Sequence, residues 1–129
     1  MNRTQAQLPP AGTRPASDGV FDGAALLKRV QGDKDLAAEV VAVFRADVPV
    51  QLSRLQDWLA GGEWPDLQLH AHALKGAAAT VGAEAMRETA WQLELAARAA
   101  DQNTPAELLS ALKAQFRELE SMLDETGWC

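Results

Sequence analysis

LHAHALKGAAATVGA, residues 69–83, sets a histidine, a lysine and a glycine at positions 72, 75 and 76 inside a run with helical spacing. Apolar residues recur at Leu67, Ala71, Leu74, Ala78 and Val81, one buried stripe of an amphipathic helix. At about 100° per residue, His72 projects roughly 140° from the centre of that stripe, Gly76 about 180° and Lys75 about 80°. His72 is therefore expected to face solvent or a partner, with bare backbone one turn further on. A glycine within a helix costs about 1 kcal/mol relative to alanine. Alanine stands close by at 77, 78, 79 and 83, so the space above Gly76 is expected to serve a purpose. Imidazole is partly neutral and nucleophilic near neutral pH, with a reference pKa of about 6.5. Lys75, one turn along, offers a point charge for phosphoryl oxygens. On spacing alone, an ordinary surface histidine beside a tolerated glycine fits these residues equally well.

Working outward, Pro65 suits the first turn of this helix and Gly82 its end. Upstream, Asp22 can cap a short helix over residues 23–31, with Phe21 stapling onto Leu26, and Gly32 ends it. Asp33 can cap a second helix running to Ala60, closed by Gly61 and Gly62. Its expected core stripe is Leu36, Val40, Val43, Phe44, Val48, Leu52, Leu55 and Leu59, with a kink near Arg45 caused by Pro49. A fourth helix over 83–101 carries the stripe Met86, Ala90, Leu93 and Ala97, with Glu94 and Arg98 at i, i+4 on one flank. Thr104-Pro105-Ala106-Glu107 reads as N-cap, N1 proline and capping-box glutamate for a fifth helix. Leu108, Leu112, Phe116, Leu119 and Leu123 form its expected core face. No segment alternates with period two. The expected fold is all-α: an antiparallel up-down-up-down four-helix bundle with a short additional N-terminal helix over one end.

The run AHALKGAAATVGA (71–83) resembles the signature of histidine-containing phosphotransfer (HPt) domains, A-H-x-L-K-G followed by small residues and G-A. Residues 21–55 resemble the family's first two helices, and the helix ending in QLELAAR (92–98) resembles the one packed beside the phosphorylated histidine. The resemblance covers about residues 20–123. It implies that His72 is the phosphoacceptor, with Lys75 in its family place and Gly76 and Ala79 on the partner-docking face. In that family the residue 22 positions after the histidine is commonly Gln or Glu and hydrogen-bonds the imidazole; Glu94 holds that offset. Its carboxylate could fix the tautomer so that the other ring nitrogen is free to attack. Arg98, 26 after His72, stands where some members carry a basic residue near the phosphoryl group. From spacing alone, Glu94 and Arg98 also read as a surface pair worth a few tenths of a kcal/mol.

The composition agrees with one domain. The chain has 129 residues, 47% hydrophobic and 23% charged, enough for a real core and unlike a wholly disordered chain. A net charge of −6 argues against nucleic acid as a partner. The sole cysteine, Cys129, excludes an internal disulfide. No signal-peptide pattern and no run of ~20 apolar residues is present, so a cytoplasmic protein without a membrane span is expected. Residues 1–19, rich in Pro, Gly, Ser and Thr, read as a flexible linker or disordered arm, leaving 20–129 as the helical domain. His70 cannot share a metal with His72, since residues two apart diverge by about 200°; it reads as structural. Trp58, Trp64, Trp91 and Trp128 read as packing or boundary residues.

With neither a Gly-rich phosphate loop nor an acidic cluster for Mg²⁺, the chain is not expected to bind ATP or phosphorylate itself. It needs no cofactor of its own. The resemblance implies a monomer that relays a phosphoryl group through His72 between receiver-domain aspartates of a hybrid sensor kinase or response regulator, with Mg²⁺ on the receiver. Three other readings compete: the histidine domain of a chemotaxis-type kinase, the dimerising histidine domain of a sensor kinase, and a helical interaction module without chemistry. Ala73 after the histidine argues against the second, which carries an acidic residue there.

Overall fold

A computed structural model of the chain describes residues 19–128. Of the arm expected over residues 1–19, residues 1–18 lie outside the described residues, as does Cys129. Five helices follow one another: α1 Gly23–Arg29, α2 Lys34–Ala60, α3 Trp64–Val81, α4 Glu84–Arg98 and α5 Thr104–Thr126. No strand occurs among the described residues. Around the bundle α2 packs on α3, α3 on α4, α4 on α5 and α5 on α2, and the diagonal pairs do not meet. Short connections force consecutive helices antiparallel, as in an up-down-up-down bundle.

The caps explain the boundaries. Asp22 Oδ1 accepts from the Ala25 amide at 3.0 Å, and Asp33 Oδ1 from the Leu36 amide at 3.0 Å, so each satisfies a donor that its helix leaves unpaired. Both Phe21 and Leu26 are buried at the foot of α1. α1 lies over the end of the bundle where α3 turns into α4. There the Asp22 amide donates to the Gly82 carbonyl at 2.8 Å, the Ala85 amide to the Gly19 carbonyl at 2.7 Å, and Arg29 Nη1 to the Thr80 carbonyl at 3.2 Å. Trp128, just beyond α5, meets Phe21 edge to face at 5.2 Å and closes the same end.

Four expectations are corrected. The buried stripe of α2 is Ala37, Val41, Phe44, Val48, Leu52 and Leu55, while Leu36 and Val43 are 43% and 61% exposed and Val40 and Leu59 half-buried. Two adjacent rows of α2 are apolar, 36/40/43 and 37/41/44, and periodicity cannot rank them. Packing on α3 and α5 buries the second, and the first borders an apolar groove with Ala77 and Thr80 of α3. At α5 the capping box does not form, because Asp101 takes the cap. Its carboxylate accepts from the Asn103 and Thr104 amides and from the Thr104 hydroxyl, which draws Thr104 into the helix as its first residue and lowers the Asp101 pKa. Leu109 rather than Leu108 is the buried first-turn leucine of α5. α4 ends at Arg98 because Ala100 adopts φ +52° and the Asp101 amide bonds back to the Ala96 carbonyl. α2 runs from Lys34 to Ala60 with Pro49 inside it, as expected.

Two glycines of α3 and its cap predict opposite stability effects. Gly82 has φ +91°, and a Cβ there would stand 2.6 Å from the Asp22 carbonyl oxygen. Gly76 is exposed, and a Cβ there would meet nothing within 4 Å. Urea unfolding is expected to show Gly82→Ala destabilised by at least about 1–2 kcal/mol from backbone strain alone. Gly76→Ala is expected to be stabilised by up to about 1 kcal/mol.

Candidate functional site

The turn at Gly82–Ala83 sets the register of α3 against α4. In an antiparallel pair, residues equally far from the turn face each other. His72 and Glu94 stand eleven residues either side of Ala83, Lys75 and Trp91 eight, and Ala79 and Arg87 four. Within α4, Arg87, Trp91, Glu94 and Arg98 recur at i, i+4, i+7 and i+11, one row along the flank turned to α3.

Glu94 is the centre of the site. Its side chain is only 8% exposed, whereas that of His72 is 62% exposed. His72 Nδ1 lies 3.1 Å from Glu94 Oε2. An ionised carboxylate can only accept, so Nδ1–H donates, and in the neutral ring this tautomer puts the free lone pair on Nε2. Lys75 Nζ pairs with Glu94 Oε1 at 3.0 Å, and Arg98 Nη2 approaches Oε2 at 3.6 Å. The Lys75 contact is an ion pair whose angles fall short of a well-formed hydrogen bond, since Oε1 is buried without one. Burial pushes the Glu94 pKa up, but the Lys75 and His72 contacts more than reverse it and hold the carboxyl below its ordinary value.

All six residues singled out in the sequence thus lie on one face. His72, Lys75, Glu94 and Arg98 form a single charge cluster. Gly76 and Ala79 continue along α3 and line a shallow basin with Lys75, Arg87 and Trp91. Glu94 is buried and bridges two helices rather than lying on the surface, while its i, i+4 contact with exposed Arg98 does form. In this state Lys75 and Arg98 both point their charge at Glu94. Trp91 and Arg87, not among the candidate site residues, lie on the same face; Trp91 is 41% exposed, in keeping with a boundary residue. Their i, i+4 relation to each other, and the place of Trp91 one turn before Glu94, were available in the sequence.

His70 does not join the cluster. Its ring stacks on Trp58 of α2 with centroids 4.1 Å apart, and its Nδ1–H donates to the Asp66 carbonyl at 2.9 Å. It serves the α2–α3 contact, in keeping with its structural reading. Among the described residues no group of three or more His, Cys, Asp and Glu side chains is placed to hold a metal ion, and no helix is long and apolar enough to cross a membrane.

Comparison with known proteins agrees with this geometry. Residues 39–126 match the family described as Hpt domain. The chain is 34% identical over 117 residues to the virulence sensor protein BvgS of Bordetella parapertussis; the match takes in 86% of this chain but only 9% of that protein's length. A crystal structure of the HPT domain from a Shewanella Hpt sensor hybrid histidine kinase superposes with a TM-score of 0.68. It covers 83% of this chain and 96% of that one at 18% identity, which is a likeness of fold.

The lowered Glu94 pKa predicts a pH signature. A carboxyl whose folded pKa lies below its unfolded value stabilises the fold fully above the unfolded value, ordinarily 4.5, and loses that contribution as pH falls through the folded value. Chemical unfolding between pH 7 and pH 3 is expected to show wild type losing stability more steeply below about pH 4.5 than Glu94→Gln. A wild-type-to-variant difference that stays constant with pH would contradict the assigned ion-pair cluster.

Proposed function

The chain belongs to the Hpt domain family, and from that membership we propose that His72 accepts a phosphoryl group from the phospho-aspartate of one receiver domain and passes it to another in a phosphorelay. The observation that carries the assignment is the Nδ1–H···Glu94 contact on an exposed ring, which in the neutral imidazole puts the free lone pair on Nε2. In the forward step the Nε2 lone pair attacks phosphorus. The P–N bond forms as the P–O bond to the aspartyl group breaks, and that electron pair leaves on the receiver's carboxylate. Nδ1 keeps its proton, so the ring becomes cationic, and the buried Glu94 carboxylate faces that charge at 3.1 Å. The return step runs the same path backward.

Lys75 and Arg98, gathered around Glu94 beside His72, are the cations that would turn to the incoming phosphoryl group. Charge-assisted contacts to phosphoryl oxygens are the stronger kind of hydrogen bond. The receiver brings the aspartate and Mg²⁺; the chain brings an oriented imidazole and a helix face stripped of a side chain at Gly76. Positioning and electrostatics carry most of the catalysis in such a transfer.

Phosphoramidate or a phosphorylated receiver domain is expected to label wild type and His70→Gln with acid-labile, base-stable phosphate and to leave His72→Gln unlabelled with its helical fold intact. Labelling that persists in His72→Gln would refute the assignment. At Gly76, Gln is expected to raise the melting temperature yet slow transfer from a receiver domain far more than labelling by phosphoramidate. Ala is expected to do the same less severely. Gly76→Gln exchanging phosphate at the normal rate would remove the docking role of the glycine.

A further inference from the structure

The basin on the α3–α4 face begins one helical turn beyond His72. Its floor is the Gly76 backbone and the Ala79 methyl, and its walls are Lys75, Arg87 and the exposed indole of Trp91. Two cations beside a phosphotransfer histidine suggest an anion site, but both are already matched. The Lys75 ammonium is paired with buried Glu94 at 3.0 Å. The Arg87 guanidinium is held by Glu84, with Nε donating to Oε2 at 2.7 Å and Nη2 contacting the same carboxylate, and Glu88 Oε1 lies 3.5 Å away. With their charges engaged, the two cations are less free to hold an anion, and their methylene stems can pack against an apolar group. Beside them the basin offers the exposed indole of Trp91, the Ala79 methyl and the bare backbone of Gly76.

We infer that this basin seats an apolar side chain of the receiver domain, carried on a loop beside its phospho-aspartate, and that Trp91 is the wall that selects it. The inference rests on the reading of His72 as the transfer residue. Neighbours at i and i+4 on a helix are about 5–6 Å apart at Cβ. A protein surface that brings an aspartyl phosphate to His72 Nε2 therefore also lies over Gly76 and reaches Trp91. The basin is continuous with that docking face. Gly76 opens it from below, since a side chain at this position would occupy it. Rigid, amphipathic tryptophan at the edge of a buried contact is the residue type that most often dominates protein–protein affinity. Trp91 contributes to docking and not to the transfer step itself, so its loss should act on KM.

Receiver domains from the source genome, phosphorylated with acetyl phosphate, are first ranked by transfer to the full wild-type chain, and the fastest serves as the probe. Trp91→Ala is expected to raise KM for that receiver about tenfold, equivalent to ~1.4 kcal/mol, with kcat within about twofold of wild type. Trp91→Phe is expected to recover most of the loss. Trp91 is also the exposed indole of the set, with Trp58, Trp64 and Trp128 half-buried. Binding of the unphosphorylated receiver is therefore expected to shield part of the tryptophan fluorescence from acrylamide, and Trp91→Phe to abolish that shielded component. A KM for Trp91→Ala within about twofold of wild type, or a fall in kcat at unchanged KM, would overturn the inference while leaving His72 as the transfer residue. A wild-type chain that exchanges phosphate with no receiver domain would overturn the phosphorelay reading, and this inference with it.

Discussion

A carboxylate taken out of water costs several kcal/mol unless charge and hydrogen bonds replace its hydration. Glu94 meets that requirement with His72 and Lys75 from α3 and Arg98 from its own helix. The same contacts that make its burial tolerable order the site: one oxygen holds the His72 ring by Nδ1, and the carboxylate collects Lys75 and Arg98 beside it. Removing Glu94 would release the imidazole and scatter two positive charges together. Changing Lys75 alone would leave a buried carboxylate short of its closest cation.

This arrangement depends in turn on the turn between α3 and α4. Gly82 ends α3 in the left-handed region and brings its backbone against Asp22 too closely for a side chain. The helices then run back antiparallel with Ala83 as pivot, which is why His72 and Glu94 lie 22 residues apart in sequence and 3.1 Å apart in space. The α1 segment secures the same end through Asp22 and Arg29. The glycine at 82 is thus required by its conformation, whereas the one at 76 leaves open space that a Cβ would enter without a clash.

Much of this was legible in the chain, because each signal has a local cause. Asp22, Asp33, Pro65 and Gly82 mark helix ends through hydrogen bonding and backbone geometry that need no tertiary information. The angle of His72 and Gly76 follows from the stripe Leu67, Ala71, Leu74, Ala78 and Val81, all buried. What was not legible required knowledge of a neighbour. On α2 two adjacent rows are equally apolar, and only packing on α3 and α5 buries Ala37 and Val41 in preference to Leu36 and Val43. At α5 a strong local motif lost to a better-placed carboxylate, Asp101, whose three contacts outweigh one capping bond. Spacing alone leaves Glu94 as half of a surface pair; its contact with His72 is what the family resemblance implied, and its burial needs α3 to cover it. Trp91 reads as packing or boundary, and spacing does not choose between them.

The central claim is that Glu94 fixes the proton on His72 Nδ1 and so directs phosphorus to Nε2. The most direct test is ³¹P and ¹⁵N NMR of the chain labelled with ¹⁵N-histidine and phosphorylated by phosphoramidate. The account predicts one phosphohistidine, at position 72, with phosphorus coupled to Nε2 and the proton retained on Nδ1. Phosphorus on Nδ1, or on any residue other than His72, would contradict it.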